Sequence, residues 1–447
     1  MADPLAPAAQ PRPAAAVAGG GLLRLAAEVN PQERRAVALA FVCYFLVLAV
    51  FYILRPVRDT VATVVGVGRL QLLFTGTFFG TLIASPIYTW LASHLRLSRL
   101  LPAVFWFWLL DVLVFRELFR LAPGNLWLAG SYYVWFSVVN LFMVSVFWSL
   151  MVDLFTSTQA TRLFALIAAG GEFGAIAGPL LTRLLVARIG LSGMLAIAAA
   201  GFVLVVVLVH LLMREKRRLR ERGELAQAST LEHDLRGNPF SGFTELFSSG
   251  YALAQGGFIL LMSWVATVAY FFQTDIIAHA FPGLAGRAEA IADIDLVVNI
   301  CTAAVLVFGL GHLLRRFGLT ATLLLNPLVM LGSFVALLVA PSLLMIQAVQ
   351  VVRRVSQYAI ARPSREICFT VMPQASRYKT KNVIDTVVYR LGDLSSAWMQ
   401  SGLFAAGFGL GAGATLGIAG TLVWGVVCRF LGERYEKLRQ GLAAGVS

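Results

Sequence analysis

Charged residues are scarce in this chain of 447 residues. Asp, Glu, Lys and Arg make up 13% of it, whereas 59% is hydrophobic. Soluble domains contain roughly 45–50% apolar residues, so a soluble core cannot bury this much apolar surface. The composition excludes an ordinary soluble domain, and the mean hydropathy of +0.79 indicates a chain that crosses a membrane several times.

Motifs for metal binding, redox chemistry and hydrolysis are also lacking. The four cysteines stand singly, without the close spacing of a zinc site or a redox pair, and the five histidines are dispersed. The sequence contains no GxxxxGK(S/T) loop, HExxH pair or nucleophile elbow. We therefore expect a protein that is not an enzyme, binds no metal or other cofactor, and draws on a gradient or on exchange.

Twelve apolar segments are long enough to span a bilayer as helices, which takes about 20 residues each. They lie near residues 36–54, 70–92, 100–119, 126–152, 163–186, 191–213, 251–280, 293–314, 319–340, 342–361, 382–406 and 411–430. The sequence thus predicts an all-α membrane protein of about twelve transmembrane helices in two six-helix bundles. This layout resembles the major facilitator architecture, in which substrate binds near the midplane between two halves.

Hydrophilic stretches divide the chain and indicate its orientation. The predicted units are a disordered or amphipathic cytoplasmic N-terminal segment, a first bundle, a cytoplasmic linker, a second bundle and a cytoplasmic tail, at 1–35, 36–213, 214–250, 251–430 and 431–447. Lys and Arg are concentrated in the segments on the linker side, which places both termini in the cytoplasm. The net charge of +13 then reflects topology, and we expect no nucleic-acid partner.

Two adjacent arginines, Arg353 and Arg354, lie in the middle of the tenth predicted span. A charge at the bilayer centre costs at least about 2.5–3.5 kcal/mol, so such residues face a cavity or a partner. Adjacent helical positions diverge by about 100°. We expect one arginine to line an anion site and the other to pair with an acid on a neighbouring helix; a purely structural ion-pair network is the alternative.

The eleventh span is interrupted by Asp385, Arg390 and Asp393. Arg390 precedes Asp393 by three residues, which is close enough for a salt bridge along the helix. Asp385 is nearer the cytoplasmic end and is a candidate for a gate closed with Lys379 or Lys381.

Charges also cluster at the end of the first predicted span, where Arg55, Arg58 and Asp59 surround Pro56. Proline interrupts helical hydrogen bonding, and broken helices accompany transporter binding sites. The alternative is that these residues belong to the first outer loop.

The fifth span contains GGEFGAIAGP, with Gly170, Gly174 and Gly178 four residues apart. Small residues on one face let two helices approach closely, and the pattern resembles the glycine motif of major facilitator antiporters. Tight packing without a functional role is the alternative. We expect Glu172, an acid within this stretch, to pair with an intramembrane arginine.

Several segments resemble the nucleotide transporter family, which includes the ATP/ADP translocases of plastids and obligate intracellular bacteria and shorter homologues in free-living bacteria. LRPVRD at 54–59 is similar to the family pattern L-R-x-x-K-D, with Arg58 at the lysine position. The segment SVFWSLMVDLFTSTQATRLFALIAAGGEFGAIAGP is similar to the fourth-to-fifth-helix region of the short homologues. REICFTVMPQASRYKTKNVID is similar to K-E followed by K-x-K-x-x-I-D and matches these charged positions with Arg365, Glu366, Lys379, Lys381 and Asp385.

The sequence departs from this family at two positions. Members that exchange ATP for ADP have glutamates in the fourth and seventh spans, where this sequence has Phe136 and Tyr270. The resemblance implies the fold, an antiport mechanism and a nucleotide or other anionic substrate, in the lipid bilayer of the bacterial inner membrane. We expect a monomer, because two bundles in one chain already form a complete pathway.

Three functions are consistent with these observations. The first is antiport of ATP and ADP or related phosphorylated anions. The expected binding residues are the cations Arg58, Arg353, Arg354, Lys381 and Arg390. The expected gating or ion-pair residues are Asp59, Glu172, Arg365, Glu366, Lys379, Asp385 and Asp393. The second is proton-coupled transport of another solute through Asp111, Glu172 or Asp293. The third is a membrane scaffold or sensor, whose buried charges are fully paired and whose halves enclose no open cavity.

Overall fold

A computed structural model of the chain describes residues 29–94, 97–122, 124–221 and 241–444. Within these ranges the regular elements are helices, and no β-strand occurs. Most of the predicted N-terminal segment, residues 222–240 of the predicted linker and the last three residues lie outside the described part of the chain.

The first half contains six helices. The first four are α1 (Arg34–Val65), α2 (Leu70–His94), α3 (Leu97–Leu121) and α4 (Leu126–Leu154). The helical stretch Ser157–Glu221 is broken at Gly190, whose φ of 64° favours glycine. The break separates α5 (157–189) from α6 (191–221).

The second half follows a short helix, Ser241–Phe247, at the end of the linker. Its helix α7 is Gly250–Ala280, and a break at Gly318 separates α8 (284–317) from α9 (319–339). Helices α10 (343–368) and α11 (374–405) each contain a π-helical turn, Ser356–Ala361 and Ile384–Val388, and α12 is Leu410–Ala444.

The prediction of about twelve membrane-spanning helices in two bundles is confirmed. Among the described residues, seven helical stretches are long and apolar enough to cross a membrane. Two of them, of 61 and 56 residues, each contain two spans because the chain turns at Gly190 or Gly318. The twelve are completed by α3, α10 and α11, which carry several charged residues. One large buried apolar cluster lies mainly in the first half and another in the second.

The glycines of α5 allow it to pack directly on α1. A Cβ atom at Gly170 or Gly178 would lie 2.5 Å from the backbone oxygen of Phe41 or Ala49, which is closer than atoms can approach. The second half has a similar crossing, since a Cβ at Gly392 of α11 would lie 2.5 Å from a backbone oxygen of α7. The glycine pattern therefore packs two helix backbones together.

The predicted end of the first span at residue 54 is wrong, because α1 continues through Pro56 to Val65. Proline removes only one backbone hydrogen bond, and the Thr60 hydroxyl donates to the carbonyl oxygen of Pro56 at 2.7 Å. The charges that follow the proline therefore belong to a membrane-spanning helix and not to an outer loop; Asp59 is 1% exposed.

Candidate substrate-binding cavity

A cavity of about 810 Å³ lies between the two halves, among residues of α1, α2, α4, α5, α7, α8, α10 and α11. Its lining is rich in cations, which are Arg55, Arg58, Arg353, Arg354, Arg362, Arg365, Lys381 and Arg390. Only half as many acids line it, namely Glu172, Glu366, Asp385 and Asp393. The described wall thus has a surplus of positive charge, and the pairing of each cation decides where that surplus lies.

The halves contact each other at the end of the bundle that is opposite the linker. There the Gln71 side-chain oxygen of α2 accepts a hydrogen bond from Ser401 of α11 at 2.7 Å. Arg287 at the start of α8 donates to the hydroxyl of Thr63 in α1 at 2.9 Å. These contacts close the cavity on that side.

Arg58 and Asp59 form a buried pair on α1. Arg58 Nη2 lies 2.5 Å from Asp59 Oδ1, and the Tyr270 hydroxyl of α7 donates to the same oxygen at 3.0 Å. The Arg58 guanidinium lies over the rings of Tyr133 and Phe136, at 5.2 and 5.8 Å from their centroids. The two positions where the nucleotide transporter pattern has glutamate, Phe136 and Tyr270, therefore both contact this pair.

Arg354 pairs with an acid on a neighbouring helix. Its Nη1 donates to Asp295 Oδ1 of α8 at 2.5 Å, and Nη2 donates to Gln273 at 3.2 Å. The second carboxylate oxygen of Asp295 lies 3.7 Å from Arg55 Nε of α1. One fully buried carboxylate thus serves two arginines, one from each half of the molecule.

Arg353 has no carboxylate within ion-pair distance among the described residues. Gln350 Oε1 accepts from its Nε at 3.0 Å and from its Nη2 at 2.7 Å, and Gln357 Oε1 accepts from its Nη1 at 3.0 Å. Arg362, nine residues further on in α10, lies over the Tyr358 ring at 4.8 Å from the ring centroid. The cation surplus is therefore concentrated on this side of α10.

Four charges alternate at the mouth of the cavity nearest the linker. Arg365 bonds to Asp385 at 2.6 Å and to Glu366 at 3.1 Å, and Lys381 bonds to Glu366 at 2.6 Å. The side chains of Glu366, Asp385 and Lys381 are 41%, 39% and 36% exposed, so the cavity is open on this side. In this structure Asp385 pairs with Arg365 and not with Lys379 or Lys381, and a gate formed by Asp385 with either lysine stays a prediction. Lys379 is exposed and does not line the cavity. It stands two residues before Lys381, and residues two apart on a helix point to different sides.

Arg390 and Asp393 interact along α11, at 3.4 Å. Asp393 also accepts a hydrogen bond from the Thr267 hydroxyl of α7 at 3.1 Å. Arg390 donates to the backbone oxygen of Ser137 in α4 at 3.3 Å. Arg390 therefore connects the two halves at the wall of the cavity.

The three acids considered for proton coupling lie in different surroundings. Glu172 lines the cavity, but no arginine of the described chain lies within ion-pair distance, so the expected pairing is wrong. Asp111 accepts from the Trp135 indole at 2.9 Å, and Asp293 pairs with Arg183 at 3.1 Å. Neither of these two lines the cavity, which leaves Glu172 as the accessible acid of the three.

Reasoning from the sequence missed Arg362 and the two glutamines that hold Arg353. Gln350 and Gln357 stand three and four residues from Arg353, which is the spacing of neighbours on a helix. That spacing was a usable signal. By contrast, nothing local in the sequence connects Asp295 with Arg55 or Arg354.

The sequence of residues 40–358 matches the family model of the Major Facilitator Superfamily. The chain belongs to this superfamily: it is an integral membrane transporter of a small-molecule solute and not an enzyme. A search of curated proteins finds no match. The specific resemblance to nucleotide transporters is not confirmed by these comparisons.

Solved structures share this fold at low sequence identity. The nucleoside transporter NupG has a TM-score of 0.61 at 10% identity, over 90% of this chain and 99% of that one. A bacterial homologue of the iron transporter ferroportin, in an inward-facing state, has a TM-score of 0.62 at 13% identity, over 89% and 98%. A peptide transporter, POT, in complex with alafosfalin has a TM-score of 0.61 at 12% identity, over 92% of this chain and 99% of that one. At this identity the likeness establishes the fold alone.

Proposed function

We propose that this transporter exchanges phosphorylated anions, with nucleotides such as ATP and ADP as the leading substrates. The observation that carries the proposal is the surplus of cations in the central cavity, and above all Arg353, which is 8% exposed and has only neutral partners among the described residues. A buried charge is expensive unless it is paired. An anionic substrate supplies the missing charge.

Guanidinium groups bind phosphate and carboxylate well because their planar array of N–H donors matches two oxygens of either group at once. The cavity volume of about 810 Å³ is within the range of roughly 300–1,000 Å³ that holds small organic ligands. Tyrosines line the same space, among them Tyr44, Tyr133 and Tyr389. A flat base can stack on such rings, so a nucleotide suits both the charge and the shape of the wall.

Exchange follows from the same surplus. Closing the empty cavity would enclose Arg353 and Arg362 without a counter-charge, and the desolvation penalty of an isolated ion is several kcal/mol. Binding an anion removes most of that penalty. The loaded transporter should therefore change conformation faster than the empty one, which makes transport in one direction depend on substrate returning in the other.

Uptake of labelled ATP into proteoliposomes containing the purified protein tests the proposal, with and without ADP inside and with no ion gradient. We expect uptake only when ADP is inside. Arg353→Ala should abolish anion binding while the protein still inserts into the membrane. Absence of uptake, together with no binding of nucleotides, would reject the proposal.

Proton-coupled transport of another solute is the second candidate, because Glu172 faces the cavity without a cationic partner among the described residues. In that case uptake would need a proton gradient and no internal substrate, and Glu172→Gln would abolish the dependence on the gradient. For the exchanger, Glu172→Gln should leave counter-substrate dependence intact. A scaffold requires a closed interior with fully paired charges, and the open cavity argues against it.

A further inference from the structure

The side chain of Arg353 is held by two glutamines that leave its charge intact. Gln350 is 0% exposed, and its amide nitrogen donates to the backbone oxygen of Ala269 in α7 at 3.1 Å. This bond fixes the orientation of the amide, so that its oxygen points to Arg353. Gln357 lines the cavity from the π-helical turn and accepts from the other side of the guanidinium.

The atoms involved determine which donors remain. An arginine side chain has five N–H groups. Gln350 accepts from Nε and Nη2, and Gln357 accepts from Nη1. One N–H group remains on each Nη atom, and these two groups can donate to the oxygens of an anion. Arg353 lines the cavity, so this pair is available to a substrate.

Three other arginines of the cavity have carboxylate partners. Arg354 and Arg55 share the carboxylate of Asp295, and Arg58 is paired with Asp59. Each of these three has an acidic partner before a substrate binds, whereas Arg353 and Arg362 have none within ion-pair distance among the described residues. A glutamine oxygen has the same shape and hydrogen-bonding geometry as a carboxylate oxygen but brings no negative charge.

We propose that Gln350 and Gln357 are positioning residues that orient Arg353 as the docking point for a terminal phosphoryl group of the substrate. The proposal rests on the proposed function and makes it more specific. The glutamines fix the guanidinium plane, and their neutrality preserves the attraction for the anion. An acidic residue at either position would still accept from the guanidinium but cancel its charge, and at position 350 it would also lose the amide donor to the Ala269 oxygen.

Gln350→Glu and Gln357→Glu test this, because each keeps the acceptor and adds one negative charge. Gln357→Glu is the cleaner of the two, since Gln350→Glu also removes the donor to the Ala269 oxygen. Dissociation constants for AMP, ADP and ATP are measured on purified protein in detergent. We expect each variant to weaken ATP binding at least about tenfold, which corresponds to about 1.4 kcal/mol. We also expect the affinity difference between ATP and AMP to shrink, which general destabilisation of the fold would not produce.

Gln347→Glu is the matched control. It makes the same substitution on the same helix, one turn before Gln350, at a residue that does not line the cavity, and it should leave all three constants unchanged. Gln350→Met removes the acceptor without adding charge, and it should weaken binding while preserving the preference for the more charged nucleotide. Because glutamate is introduced at two separate positions, the test still gives an answer if one of the two variants does not fold.

The outcomes separate this inference from the proposed function. If the wild type binds nucleotides and both glutamate variants bind them equally well, the positioning role is rejected and the function stands. Citrate serves as a second probe: if the wild type binds citrate but no phosphorylated compound, the function is rejected. If the glutamate variants then lost citrate binding, Arg353 would still be the docking point, but for carboxylates. A wild type that binds neither class of anion rejects both.

Discussion

Replacement of Asp295 by asparagine should destabilise this transporter strongly while leaving its shape intact. The carboxylate is 0% exposed, and its two oxygens lie 2.5 Å from Arg354 and 3.7 Å from Arg55. Asparagine has the same size but no charge. The substitution leaves two arginines, both nearly buried at 2% and 11% side-chain exposure, without the acid they share.

The magnitude follows from the burial of the pair. Removing one partner of a buried ion pair costs about 3–5 kcal/mol, because the remaining charge stays buried without compensation. Asp293 provides a matched control two residues earlier on the same helix, where it pairs with Arg183 and the side chains are 35% and 51% exposed. Pairs exposed to this extent contribute about 0–1 kcal/mol. We therefore expect Asp295→Asn to lose at least about 2 kcal/mol more than Asp293→Asn.

The assay is the free energy of unfolding of the two variants and the wild type in the same detergent. Adding Arg354→Met to Asp295→Asn should recover part of the loss, because it removes one of the uncompensated charges, and the two changes should be non-additive. Equal losses for Asp295→Asn and Asp293→Asn would refute the reasoning, and so would simple additivity in the double variant.

Two further predictions concern the mouth of the cavity and the packing of its walls. Lys381→Ala should impair exchange more than Arg315→Ala, because Lys381 lines the cavity whereas Arg315 is exposed at the linker-side end of α8. The measurement is the initial rate of ATP uptake by each variant, and equal effects would contradict a role for Lys381. Gly174→Ala should destabilise the protein by about 1–3 kcal/mol, because its Cβ would collide with the backbone of α1. Thermal unfolding compares it with Gly332→Ala, whose Cβ would meet no atom within 4 Å, and a similar melting temperature for both would contradict the close crossing.

The helices and their number could be predicted from the sequence because the signal is local. A membrane span needs a continuous apolar run, and an apolar run is visible in the residues themselves. The boundaries were less certain where a local signal competes with tertiary packing. At Pro56 the proline suggested an end, yet the helix continues to Val65, since burial of the following turns outweighs one lost hydrogen bond.

Pairing along a single helix was also predictable. Arg390 and Asp393, three residues apart on α11, lie 3.4 Å from each other, as helical geometry requires. The partner that Asp385 has in this structure could not be predicted in this way. Several cations were near it in sequence, but its partner, Arg365, lies on another helix.

The sequence by itself determined that this protein is a two-bundle membrane transporter with charges too deep in the membrane to be incidental. Only the tertiary structure decided which of those charges are compensated. Asp295 meets arginines from both halves, whereas Arg353 meets only glutamines. The physical reason is that an ion pair depends on the distance in space between side chains, and helices far apart in the chain are brought together only by packing. The charge left over by that pairing is what makes the cavity suited to an anion.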